Sequence, residues 1–124
     1  MKSTEHEDLS VFVKWLEFLK WLLPATEKFP QRARFTFADR IDNLALDLVE
    51  DLIEAQYTSK HQNGAKRAIL KRANLRLEKL RVLLRISCEQ RHLSHNAYEY
   101  AIRAINEVGC MLGGWLKQQE EEVL

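Results

Sequence analysis

Histidines, cysteines and clustered carboxylates could ligate a metal or move protons, and this chain spaces them poorly for either task. His92 and His95 stand three apart but straddle a turn ahead of Ser94, an arrangement that favours solvated histidines over a metal site. His6 and His61 fall in an end segment and a polar loop. Cys88 and Cys110 lack Cys-x-x-Cys spacing and are expected as buried free thiols without a redox role. Asp47, Glu50, Asp51 and Glu54 recur at helical spacing, which suits a solvated face or a partner for basic side chains better than a metal site. No glycine-rich phosphate loop, His-Glu-x-x-His pair, nucleophile elbow or Glu-x-x-His pair occurs. The expectation is a non-enzyme with no catalytic residue, no metal and no other cofactor.

Charge is more informative. The formal net charge is only +1, yet it is unevenly distributed. From Lys60 to Arg91, ten basic residues face two acids, a balance of +8, whereas Asp39 to Glu54 holds six acids against Arg40, a balance of −5. Lys66, Arg67, Lys71, Arg72, Arg76, Lys79, Arg81 and Arg85 are the candidate nucleic-acid-binding residues, because lysines and arginines rising along one helix can meet successive phosphates. The same side chains could instead form a solvated face, or pair with the acids of the preceding segment in this chain or a neighbour.

The elements that must carry these residues are helical. In 124 residues, with two prolines and four glycines, Leu, Ala, Glu, Lys and Arg dominate, and these lose little on entering a helix. Apolar residues recur at three- and four-residue spacing in four segments. The first, about 10–28, places Leu9, Phe12, Leu16, Leu19 and Leu23 inward, with Trp15 and Leu22 widening the stripe and Pro24 imposing a kink or an end. After Phe29-Pro30, the second carries Phe37, Ile41, Leu44, Ala45, Leu48, Leu52 and Ala55, fading near Tyr57. Thr58 to Gly64 is expected as a mobile loop with Asn63-Gly64 as its turn. The third, about 65–90, turns Ile69, Ala73, Leu77, Leu80, Leu84 and Cys88 inward; the fourth, capped by Ser94 and running to about Gln118, turns in Tyr98, Ala101, Ile105, Val108, Leu112 and Trp115. The fold class expected is all-α: an antiparallel up-down-up-down four-helix bundle, one domain over 1–124 with frayed ends at about 1–8 and 119–124. No apolar stretch approaches a membrane span and no secretory leader is evident, so a cytoplasmic protein is expected.

Helix three has a second apolar row. At about 100° per residue, Ala68, Leu75, Val82 and Ile86 fall nearly opposite Leu77 and Leu84, so a single bundle cannot bury both lines. These four residues are the expected oligomer interface, flanked by Arg72, Arg76 and Lys79 on one side and Arg67, Lys71, Arg81 and Arg85 on the other. Gly109 and Gly113, four apart on helix four, suggest close approach of another backbone.

Four helices, Phe29-Pro30 between the first two, the basic third helix with Leu80-Arg81-x-x-Leu84-Arg85, and the closing run from Asn106-Glu107-Val108-Gly109 through Met111-Leu112-Gly113-Gly114-Trp115-Leu116 are similar to the accessory variability determinant proteins of diversity-generating retroelements. The resemblance covers nearly the whole chain, and it is most specific in the closing run and the Ser94-led start of helix four. It implies a barrel-shaped homopentamer of non-catalytic four-helix bundles that binds RNA or DNA and associates with the element's reverse transcriptase. The implied role is support for synthesis of adenine-mutagenised complementary DNA from a template-repeat RNA. The near-neutral net charge departs from the strongly basic character expected of that family. A sister group, the four-helix bundle proteins of ribosomal-RNA intervening sequences, carries an Asn-Ile-Ala-Glu-Gly-like run in helix two, where this chain has Leu44-Ala45-Leu46-Asp47-Leu48, and it ranks second. A protein-only scaffold, with the acids of helix two gripping a basic partner, is the remaining alternative.

Overall fold

The computed structural model describes residues 2–123, and the side chains of residues 9–59, 61, 62 and 64–119 within them. Helices α1 (Lys2–Glu27), α3 (Asn63–Glu89) and α4 (His95–Val123) are continuous. Helix α2 runs without a break through an opening turn Gln31–Ala33, a π-helical turn Arg34–Ala38 and an α-helical body Asp39–Tyr57. No strand occurs among the described residues. Helix α1 packs on α2, α2 on α3, α3 on α4 and α4 back on α1, which places α1 and α3 on one diagonal of a square and α2 and α4 on the other.

Why the helices pack this way follows from their apolar stripes. In α2, Ile41, Ala45, Leu48, Leu52 and Ala55 are buried, with Phe37 and Leu44 partly covered. In α3 it is Ile69, Leu70, Ala73, Leu77, Leu80 and Leu84; in α4, Ala101, Ile105, Val108, Leu112 and Trp115. Cys88, expected inward, is only half-buried, and Cys110 is exposed; both thiols are free. Ser94 caps α4, its hydroxyl oxygen accepting from the Ala97 N–H at 3.1 Å.

Helix α1 departs from the expected face. Val11, Trp15, Phe18, Leu19 and Leu22 are buried, whereas Leu9 and Leu16 face solvent. Two apolar lines compete on this helix, and the one with the larger aromatic area is covered. The Trp15 indole N–H also donates to the Ala45 carbonyl of α2 at 2.9 Å, a buried bond that fixes the rotation of α1. Nor does α1 end at Pro24: it continues one turn, where the Thr26 hydroxyl donates to Leu23 O at 3.1 Å and to Asp42 Oδ1 at 2.7 Å.

The connections are tighter than composition suggests. Asn63-Gly64 is no turn, because α3 starts at Asn63 and no glycine has a positive φ; the reversal is made by Thr58-Ser59 and a 3-10 turn Lys60–Gln62. Helix α3 ends with Arg91 in the left-handed region at φ 64°, the Arg91 N–H donating to Cys88 O at 3.0 Å and the His92 N–H to Ser87 O at 2.8 Å. This is the hydrogen-bond pattern of a Schellman cap, with arginine where glycine is usual. At the termini the backbone is helical from Lys2 and to Val123, through stretches expected to fray. His6 and the remaining side chains of 1–8 and 120–124 lie outside the described residues.

Candidate nucleic-acid interface

Helix α3 presents three faces: leucines toward the core, the second apolar row away from it, and basic residues between. The second row is uncovered in the protomer. Leu75 and Val82 are 54% and 49% exposed, Ala68 is exposed and Ile86 is half-buried. Val82 lines a groove between α2 and α3 with Leu44, Leu83, Arg40, Asn43, Asp47, Glu78 and Lys79.

The basic residues divide into spent and available charges. Lys66 is only 4% exposed, its ammonium 5.4 Å from the centroid of the Trp115 ring, so its stem packs at the α3–α4 seam. Arg72 Nε donates to Asp51 Oδ1 at 3.0 Å, and its Nη2 lies 2.8 Å from both Asp51 Oδ1 and Glu54 Oε1. Arg76 Nε is 3.0 Å from Asp51 Oδ2, but neither atom has a hydrogen-bond partner, so the contact is an ion pair without an aligned N–H. Arg81 donates to Asn106 Oδ1 and to Glu78 Oε1, each at 2.9 Å. Arg85 holds Glu89 loosely at 3.4 Å. Arg67, Lys71 and Lys79 have no ion-pair partner among the described residues, and Lys71 and Lys79 are exposed.

These pairs decide the electrostatics of the α2–α3 seam. Burial pushes the Asp51 carboxyl above its ordinary range, against the Arg72 hydrogen bond and the charges of Arg76 and Arg72. Hydrogen bonds to Glu54 and Asp51 push the Arg72 guanidinium up. Within the carboxylate run of α2, Asp51 and Glu54 are therefore engaged inside the chain, while Glu50 is exposed and Asp47 half-buried.

The histidines do not converge. His95 Nε2 lies 3.0 Å from Glu99 Oε1 on the surface, whereas His92 is half-buried between the Phe29 and Phe37 rings at 5.9 and 5.5 Å, with Nδ1 unpartnered. Among the described residues, no three His, Cys, Asp or Glu side chains are placed to hold a metal ion. Trp21 is a packing residue, against Phe18 at 5.7 Å and Tyr100 at 4.8 Å.

Sequence reasoning missed two surfaces. One is the outer row of α1, where Leu9, Val13 and Leu16 are 58%, 50% and 36% exposed on the diagonal opposite α3. Its signal was present, since Val11, Trp15 and Phe18 offered a second line that could take the core. The other is Phe35, 80% exposed on the π-helical turn. Among the described residues, no helix is long and apolar enough to cross a membrane.

A family model described as bAvd-like matches residues 10–119, which cover the greater part of all four helices and every candidate nucleic-acid-binding and interface residue on α3. No curated protein and no solved structure matches the chain.

Proposed function

We propose, from the premise that this chain belongs to the bAvd-like family, that it is a non-catalytic accessory protein of a diversity-generating retroelement. In this reading it self-associates, as a homopentamer by the family resemblance. It engages RNA or DNA and the element's reverse transcriptase in the cytoplasm, and supports mutagenic reverse transcription. The observation that carries the reading is the uncovered row Ala68, Leu75, Val82 and Ile86, flanked on the same helix by the unpaired Arg67, Lys71 and Lys79. Apolar area of this kind gains from a partner surface, and phosphates would replace water around the flanking cations. Arg72, Arg76, Arg81 and Arg85 contribute in proportion to how readily their acids release them.

Two measurements test it. Light scattering of the wild type should give a multiple of the protomer mass, and Leu75→Glu with Val82→Glu should reduce it to the protomer with helicity retained. Nucleic-acid affinity should fall steeply with salt, and neutralising Arg67, Lys71 and Lys79 should flatten that slope; a flat wild-type response removes the nucleic-acid part of the proposal.

The ion pairs of Asp51 favour a second reading, a protein-only scaffold, because they neutralise part of the basic helix within the chain. Asp47 and Glu50 would then be the acids left for a basic partner. Reversing both to lysine should abolish capture of the purified reverse transcriptase on this reading, and leave it intact if α3 carries the contact.

A further inference from the structure

Among the described residues, four cations without an ion-pair partner lie toward one end of the bundle. Lys28, Arg32, Arg40 and Arg91 are exposed and have no ion-pair partner among the described residues. They come from the α1–α2 turn, the start of α2 and the α3–α4 turn, which an up-down-up-down chain brings to the same end. Phe35, 80% exposed, stands at the same end on the π-helical turn, three residues after Arg32 and five before Arg40.

The local backbone explains the exposure. A π-helical turn carries one residue more than an α-turn, so the phase of the inward face shifts across Arg34–Ala38. Ala33 and Ala38 remain buried and Phe37 turns in against His92, while Phe35 is left facing water. The turn is braced by Arg34, whose Nε donates to Phe29 O at 3.4 Å and whose Nη2 donates to Glu27 O at 3.3 Å. The ring is therefore presented from a fixed helical turn.

Acids accompany the cations on both flanks of this pole. Glu27, Asp39 and Asp42 gather with Arg34 around a small pocket on the α1–α2 side. Arg40 belongs to the α2–α3 side, where it lines the same groove as Lys79, together with Asp47 and Glu78. The α2–α3 groove is thus balanced, two bases against two acids, and the α1–α2 pocket is acidic, which leaves Lys28, Arg32 and Arg91 as the cations outside both.

We propose that this pole binds single-stranded nucleic acid, with a base stacked on Phe35 and neighbouring phosphates met by Arg32, Arg40 and Arg91. An exposed aromatic ring among unpaired arginines is what sequence-tolerant single-strand binding requires: a face for the base and point charges for the backbone. A duplex keeps its bases stacked inside and gains only the charges. The site rests on the nucleic-acid reading given above and locates it away from the neutralised arginines of α3.

The test is fluorescence anisotropy with an oligouridylate of about 16 nucleotides and an abasic strand of equal length. Phe35→Ala should weaken oligouridylate binding about tenfold, the loss expected for one stacked base, and leave abasic binding unchanged, while Phe35→Trp keeps wild-type affinity. Circular dichroism should show both variants folded, since the ring is exposed. Equal oligouridylate affinity for wild type and Phe35→Ala overturns the site and leaves the broader reading standing; failure of the wild type to bind either strand removes both. Full affinity in Phe35→Leu, or loss of the oligomer in Phe35→Ala, also overturns it, because the ring would then serve a protein contact.

Discussion

Arg72 and Asp51 are joined across the α2–α3 seam by a 3.0 Å hydrogen bond and a 2.8 Å ion contact, with the carboxylate side chain only 4% exposed and the guanidinium 44% exposed. The acid is held inside and the base reaches out from it. Arg72 therefore has three possible partners: Asp51 beneath it, the exposed Glu54 at 2.8 Å, and any anion arriving from solvent. Asp51 has no such choice, since Arg76 occupies its other oxygen at 3.0 Å.

Asp51→Asn should separate structure from binding. Removing one member of a buried pair costs about 3–5 kcal/mol, but the part-exposed arginines recover water, so a loss of about 1–2 kcal/mol is expected in urea denaturation. The substitution also frees Arg76 and leaves Arg72 held by the exposed Glu54 alone, so nucleic-acid affinity at low salt should rise and the log–log salt slope should steepen by about 1 to 2. Lower stability with unchanged binding would assign both arginines to structure alone.

The second prediction concerns Asp42. Its carboxyl is pushed above the ordinary range by burial, a shift the Thr26 hydroxyl opposes and the nearby Asp39 and Glu27 reinforce. A carboxyl raised in the folded state contributes stability that is complete below its unfolded value and lost as pH rises through the folded one. Asp42→Asn, which keeps an acceptor for Thr26, should therefore unfold at higher urea than wild type at neutral pH. The gap should close below about pH 4, where both side chains are neutral. A gap of opposite sign at neutral pH would show that the charged Thr26 contact outweighs burial.

How far this molecule can be read from its sequence depends on how many apolar lines each helix carries. Helix α2 has one dominant stripe through Ile41, Leu48 and Leu52, so its buried face was legible. Helix α3 has two, but they stand nearly opposite, and the row through Leu77 and Leu84 was separable from the exposed one through Leu75 and Val82. Helix α1 has two that adjoin, and the aromatic area of Trp15 and Phe18 together with the Trp15 bond to the Ala45 carbonyl chooses between them. Lys66 was misleading because a lysine stem can lie along Trp115 as readily as in water. Phe35 was hidden by the π-helical turn, whose shift in phase leaves no mark in residue spacing.

Glycine substitutions in α4 report on the outer surface. A Cβ at Gly113 or Gly114 meets nothing within 4 Å, so neither glycine is needed for close packing inside the protomer, and a backbone approaching Gly113 would have to come from outside it. Gly113→Ala should raise stability by about 1 kcal/mol, the difference in helix propensity. At Gly109 the new Cβ would stand 2.9 Å from Arg81 Nη2, so the arginine must move and weaken its bonds to Asn106 and Glu78. Gly109→Ala should therefore gain less than Gly113→Ala in thermal unfolding. A monomer that gains from Gly113→Ala while the oligomer weakens would place Gly113 at a subunit contact.

Arg91 offers the sharpest separation of fold from function. It holds a left-handed conformation at the end of α3, where a side chain costs about 1–2 kcal/mol that glycine does not. Glycine gives back part of that gain through the freedom of the unfolded chain, so Arg91→Gly should stabilise the protein by about 0.5–1 kcal/mol with both cap hydrogen bonds intact. The same substitution deletes one of the four unpaired cations at the Phe35 pole. Oligouridylate binding should then weaken and its salt slope fall by about 0.7, the value for one phosphate contact on a single strand. Higher stability with weaker binding would show that an arginine is kept where glycine folds better because its charge is used. Higher stability with unchanged binding would remove Arg91 from the surface and leave Arg32 and Arg40 to carry it.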